Sequence, residues 1–229
     1  MGHLLLLLRR LNAGGPASPR VFAVVTAVNE RRQQYLTAMV LSGSGPVEVL
    51  DYDPSWATRF LDYAARIQRV LGAVTVRVEH IGSTAVPGLA AKPVIDVQVS
   101  VPEVAELGLY KEALELLGFL HRPHPENDEA REFFRPPGPR VVHVHVVGAG
   151  SVEERRYLLH RDFLRAHPSV ASEYGALKRR LALAGQLADA RQEYQMAKDP
   201  FLKQMDRNAN EWAVLTKWSP DPCRDKDVP

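Results

Sequence analysis

Two periodicities of apolar residues run along the chain. Over Trp56–Leu71, Phe60, Leu61, Ala64, Ile67 and Leu71 recur at helical spacing, with Asp53 or Ser55 placed to cap the helix. Val47–Leu50, Thr75–Ile81 and the β-branched run Val94–Val101 read as strands. Val141–Val147 reads as another, with His143 and His145 sharing one face between valines. Val104, Leu107, Leu109, Ala113, Leu116 and Leu117 predict a helix within Pro102–Phe119, closed by Gly118. Arg122–Pro139, with His124, reads as a polar excursion forming a hairpin that carries Phe133-Phe134. Ser151–Ala188 is helical, with Ser169 as an N-cap after His167-Pro168. Gln186–Thr216 forms a last helix, on which Tyr194 and Lys198 lie one turn apart. Strands followed by helices predict an α/β fold with a C-terminal helical cap.

The two ends depart from this pattern. Leu4–Leu8 is followed by Arg9-Arg10 and is too short to span a bilayer. Val21–Val40 is compatible with a helix, and residues 41–46 are linker-like. Residues 1–45 are therefore expected to be a poorly ordered extension, or sequence upstream of a start nearer Met39. Residues 46–218 form the domain and 219–229 a disordered tail. In the 229-residue chain a formal net charge of +2 gives no bulk electrostatic case for nucleic acid. A single cysteine, Cys223, excludes an internal disulfide framework and fits a reducing, cytoplasmic setting without a membrane partner.

The candidate chemistry gathers at Glu79–Val101. Gly82-Ser83-Thr84 forces a turn whose small residues allow close backbone approach to an anion, and a helix starting after Ser83 would aim N–H groups at it. Asp96 interrupts the next buried strand and needs a partner: a metal ion, or a neighbouring Arg or Lys. Gln98 shares its face. If His143 and His145 face Asp96, the four make a donor set suited to Mn²⁺, Zn²⁺ or Fe²⁺ over Mg²⁺; otherwise they are interior histidines bonded to Asp96 or Glu79. Glu79 and His80 point to opposite faces, and His80 is either a ligand or a structural residue of the turn. Arg161 and Lys178 are polyphosphate contacts or solvated surface charges.

His80-Ile81-Gly82-Ser83-Thr84-Ala85-Val86-Pro87-Gly88-Leu89, then Ala91-Lys92-Pro93 and Ile95-Asp96, resembles the GrpB family of the polymerase-beta-like nucleotidyltransferase superfamily. The resemblance continues through Arg140–Val147 and Leu159–Arg165 to Tyr194 and Lys198. It implies a short mixed sheet flanked by helices. It also implies a metal-dependent protein that binds a nucleoside triphosphate and transfers a nucleotidyl group in line to an unknown acceptor. Gly82, Ser83, Thr84, Lys92, Arg161 and Lys198 would contact the nucleotide. Asp96, Gln98, His143 and His145 would hold a divalent ion (Mg²⁺ or Mn²⁺ first, Zn²⁺ as the alternative), with Asp96, His143 and His145 catalytic. The superfamily's second acid falls on Gln98 and its third in the His143–Val147 segment. This supports an alternative: a non-catalytic nucleotide-binding or interaction module. GrpB-like domains also occur fused to dephospho-coenzyme A kinases, so a coenzyme A pathway kinase is the partner this alternative implies.

Overall fold

In a computed structural model, residues 47–122, 131–138, 141–184 and 190–220 are described. The N-terminal extension, His124, Cys223 and the last nine residues lie outside them, as does the tip of the expected hairpin.

Helix α1 (Ser55–Leu71) is followed by β1 (Arg77–Ile81), β2 (Ile95–Val101), the short α2 (Lys111–Leu116), β3 (Leu120–His121), β4 (Arg131–Arg135) and β5 (Val142–Gly148). Helices α3 (Val152–Ala166), α4 (Pro168–Ala184) and α5 (Ala190–Thr216) complete the chain. The sheet order is β1-β2-β5-β4-β3. Only β2 and β5 pair in parallel; the other neighbours are antiparallel.

Strand alternation divides the sheet into two unlike faces. On one, Val97, Val99, Val144, Val146 and Phe134 pack with Trp56, Phe60 and Ile67 of α1 and with Leu114 of α2. On the other, the register sets Glu79 beside Gln98, Asp96 beside His143, and Gln98 beside His145. A second apolar cluster, including Val86, Leu89, Leu159, Phe163, Met205 and Ala209, fastens α3, α4 and α5 to the segment that follows the Gly82 turn.

Several elements differ from the sequence pattern. Val47–Leu50 forms a single bridge, Leu50 to Ala91, not a strand; Pro93, two residues beyond, has no N–H to extend the pairing. The helix expected across Pro102–Phe119 contracts to α2, preceded by a 3₁₀ turn over Leu107–Leu109, because Glu106 leaves the helical region. Leu109 and Leu116 are exposed, while Tyr110 is buried and donates its hydroxyl to the Val104 carbonyl. Gly118 ends α2 with a positive φ, as expected. The N-cap of α1 is Pro54, without a side-chain cap; Asp53, just before it, accepts from the Ser55 N–H at 2.8 Å. The long helical stretch after Ser151 breaks at His167, giving α3 and α4.

Candidate nucleotide and metal site

Strand β1 ends at Gly82, whose φ of 72° is left-handed. A Cβ there would fall 2.5 Å from the Asp96 Oδ2. Two independent constraints, backbone angle and close approach, therefore require glycine at this position. The turn that follows, Ser83–Ala85, is one turn of 3₁₀ helix, so no α-helix dipole points at the site.

Asp96 is flanked by imidazoles from the neighbouring parallel strand. His143 Nδ1 and His145 Nε2 each lie 3.2 Å from the same carboxylate oxygen, Oδ1. Desolvation pushes the Asp96 carboxyl up, but the two histidine hydrogen bonds outweigh it and hold the group well below the usual carboxylate range. One ligand atom from each of the three residues lies within 4.8 Å of the others. Phe133 of β4 packs on both imidazoles, and Tyr157 of α3 packs on His145. Gln98 is fully buried behind this group. Its amide donates to Ser100 Oγ, while its carbonyl oxygen has no partner among the described residues. The donor set fits a divalent ion: two imidazole nitrogens already converge on one carboxylate oxygen, and an orphaned amide oxygen lies on the same face.

The remaining candidates are placed as follows. Ser83 lines a small cleft with Gly82, Tyr157, His160, Arg161 and Tyr174. The Thr84 hydroxyl is engaged within the fold, donating to the Val94 carbonyl and paired with His80 Nε2 at 3.1 Å. His80 stacks on Phe60, on the face opposite Asp96. Burial first, and the nearby Arg165 charge second, pull its pKa down to about 4, so it is a neutral structural residue at physiological pH. Arg161 is buried, with its guanidinium bound to Glu79 at 2.7 Å, to Asp162 at 2.8 Å and to the His80 carbonyl at 3.1 Å. It ties α3 to β1, and its charge is balanced within the protein. Arg165, one turn later, donates to the Ala85 carbonyl.

Lysines from three segments approach this region. Lys92 Nζ lies 5.2 Å and Lys198 Nζ 4.7 Å from the Tyr194 ring centre. Lys178 Nζ lies 4.3 Å from the Tyr174 ring centre. Sequence spacing contained a signal for the third lysine: Tyr-x-x-x-Lys occurs twice, at Tyr174–Lys178 and Tyr194–Lys198, in consecutive helices. Tyr157 carried no comparable mark.

A mixed sheet bearing a Gly-Ser turn, an acidic strand beside it and a helical cap defines a polymerase-beta-like nucleotidyltransferase core. The chain belongs to the GrpB family, described as GrpB protein, which matches residues 46–208. It is similar to the crystal structure of conserved protein GrpB from Enterococcus faecalis, with a TM-score of 0.64 and 35% identity, covering 72% of this chain and 99% of that one. It is 37% identical to the UPF0157 protein YqkA of Bacillus subtilis, over 72% of this chain and 48% of that protein. It is 30% identical to a dephospho-CoA kinase of Mycolicibacterium paratuberculosis, over 76% of this chain and 49% of the kinase. The chain thus spans about half the length of these two relatives.

Proposed function

We propose that this protein binds a nucleoside triphosphate together with a divalent ion at the Gly82 turn, as a nucleotidyltransferase-like protein acting on an unidentified acceptor. The observation that carries this reading is the Asp96 carboxylate, set against Gly82 and approached on one oxygen by His143 and His145. Asp96, His143 and His145, with the Gln98 carbonyl oxygen as a fourth donor, would hold the ion. Two imidazoles favour Mn²⁺ over Mg²⁺, with Zn²⁺ as the alternative. When bound, such an ion supplies charge neutralisation to a transferring phosphoryl group. Ser83 and the backbone of the Gly82 turn would orient phosphate oxygens, and Lys92 and Lys198 would offset their charge. Alternatively, one imidazole of the pair would leave the ion to Asp96 and the other histidine and accept a proton from an acceptor hydroxyl. A reducing cytoplasm is the setting proposed for it.

The test is thermal unfolding with each ribonucleoside triphosphate and with coenzyme A, with and without Mn²⁺ or Mg²⁺, on the wild type and Asp96→Ala. A ligand at about 100 times its dissociation constant adds ~2.7 kcal/mol, a rise of roughly 5–10 °C for a chain of this size. A nucleotide-induced rise that requires both the ion and Asp96 supports the reading. No rise with any nucleotide contradicts it.

Gln98 favours a second reading. It stands where a second carboxylate would bring the charge that two-ion chemistry needs, and it is wholly buried. A non-catalytic nucleotide-binding or interaction module, partnering a coenzyme A pathway kinase, accommodates it. Similarity to a dephospho-CoA kinase over about half that protein's length supports this alternative. Gln98→Asp separates the two: metal-dependent turnover that appears or strengthens shows that the missing acid limits the chemistry.

A further inference from the structure

We propose that Lys178, together with Lys198 and Lys92, forms a binding site for a condensed phosphate chain of two or more phosphoryl groups, and that this site holds its ligand without a metal ion. The inference deepens the nucleotide reading and rests on it for the identity of the natural ligand. The affinity for condensed phosphate is a separate property of these side chains.

The first argument is burial without a counter-charge. Lys178 is 3% exposed, and its Nζ has no hydrogen-bond partner among the described residues. The hydroxyl of Tyr194, the ring that Lys92 and Lys198 lie over, is also buried without one. Lys198 is 8% exposed. The charged groups that face Lys178 are Lys198 from α5, Lys92 from the loop before β2, Arg179 from its own helix and Asp96 from β2. Asp96 is already bonded to two imidazoles, Arg179 is paired with Asp51, and Asp199 acts on Lys198, so none of these carboxylates bonds the Lys178 Nζ itself. A lysine amine is costly to bury unpartnered, charged or neutral, and the Tyr174 face returns only part of that cost. The deficit marks a place built to receive negative charge.

The second argument is where the lysines lie. The Tyr174 ring carries Lys178 on its face and lines one cleft with Gly82 and Ser83. The lysines therefore adjoin the Gly82 turn and do not lie on a remote surface. Three ammonium groups from three segments exceed what orthophosphate, with roughly two negative charges, can balance. A diphosphate or triphosphate can engage them together. Recessed lysines on tyrosine faces, in a chain with a net charge of only +2, do not make the exposed basic stripe that a nucleic-acid backbone needs.

The resting protonation agrees. Burial first, then the neighbouring Lys198 and Lys92 charges, pull Lys178 down to about 6, and burial with Lys92 pulls Lys198 down to about 8. Lys178 is therefore largely neutral at pH 7.5. A polyanion that restores its charge must bring in a proton from solvent. Lysine suits this role because its pKa moves on burial, whereas arginine stays charged.

Isothermal titration of the full chain with inorganic tripolyphosphate, pyrophosphate and orthophosphate, in the presence of a chelator at pH 7.5, tests this. Running it in two buffers of different ionisation enthalpy measures the proton uptake. The wild type should bind tripolyphosphate at least about tenfold more tightly than orthophosphate and take up protons on binding. Lys178→Gln should weaken binding by about tenfold or more and reduce the uptake. Asp96→Asn should still bind tripolyphosphate. Lys178→Met removes the cost of deprotonating a buried lysine on folding, so it should fold at least as well as the wild type, which thermal melts of both variants verify. Absence of tripolyphosphate binding by the wild type overturns the proposal, as does unchanged affinity in Lys178→Gln and Lys178→Met. Tripolyphosphate binding through Lys178 with no response to any nucleotide keeps this site and removes the nucleotide reading. Nucleotide binding that depends on Asp96 but ignores Lys178 does the reverse.

Discussion

The two faces of the β2–β5 pair use the same strands for opposite purposes. Val97, Val99, Val144 and Val146 point one way and are closed off by α1 and α2. Asp96, Gln98, His143 and His145 point the other way, toward the helical cap. The valine face is complete in itself: each side chain meets apolar partners. The polar face is incomplete: a carboxylate shares one oxygen between two imidazoles, and an amide oxygen and an ammonium are buried without partners among the described residues. Stability thus resides on the valine face, while unsatisfied polarity on the other face marks where a ligand is to be looked for.

Substitutions on the two faces should separate accordingly. Trp56→Ala, on the apolar side, should cost about 3–5 kcal/mol in chemical denaturation, while the folded fraction keeps its Mn²⁺ affinity. Arg161→Ala removes a buried ion pair with Glu79 and should cost roughly 3 kcal/mol or more; Arg161→Lys should restore only part, since a point charge cannot reproduce the fork to Glu79 and Asp162. Gly82→Ala meets both the left-handed φ and the Asp96 carboxylate. It should lose roughly 1–3 kcal/mol and also Mn²⁺ binding, which makes it the variant that joins the two faces. His143→Ala should change stability by less than about 1 kcal/mol but weaken the ion by about 10–100-fold or more in a competition titration.

The smallest effect concerns Lys178→Met. Lys178 titrates at about 6 in the fold, against an ordinary lysine value when unfolded. Between these values the folded chain binds fewer protons than the unfolded chain, so wild-type stability rises with pH across this window. Lys178→Met should lack that rise. Its melting temperature should exceed the wild type's by roughly 2–4 °C or more at pH 6, and the gap should close as pH approaches 10. An equal gap at both ends would mean that the difference is packing, not charge.

Much of this was legible in the sequence. Alternation in Val141–Val147 put both histidines on one face, and period two joined Asp96 to Gln98. The Gly-Ser turn and the Asp96 strand carried the family resemblance that the chain's membership bears out. Local patterns fell short where tertiary contacts decide. Leu109 and Leu116 fit a helical stripe but face solvent, because the helix is interrupted before Lys111. Thr84 and Arg161 have chemistry suited to phosphate, yet the fold engages the first with Val94 and the second with Glu79, residues 10 and 82 positions away. Nothing in one-dimensional spacing distinguishes an arginine with a buried partner from one awaiting a ligand. Lys178 illustrates the converse: in the sequence it reads as a polyphosphate contact or a solvated surface charge, and it proves to be enclosed.

The claim that this polar face holds a divalent ion is tested most directly by pulsed electron paramagnetic resonance of the chain with one equivalent of Mn²⁺. Hyperfine coupling to imidazole ¹⁴N should be present in the wild type. It should weaken in His143→Ala and in His145→Ala, and vanish together with tight binding in Asp96→Ala. Mn²⁺ that binds without nitrogen coupling, or with the same affinity in all three variants, would contradict the account.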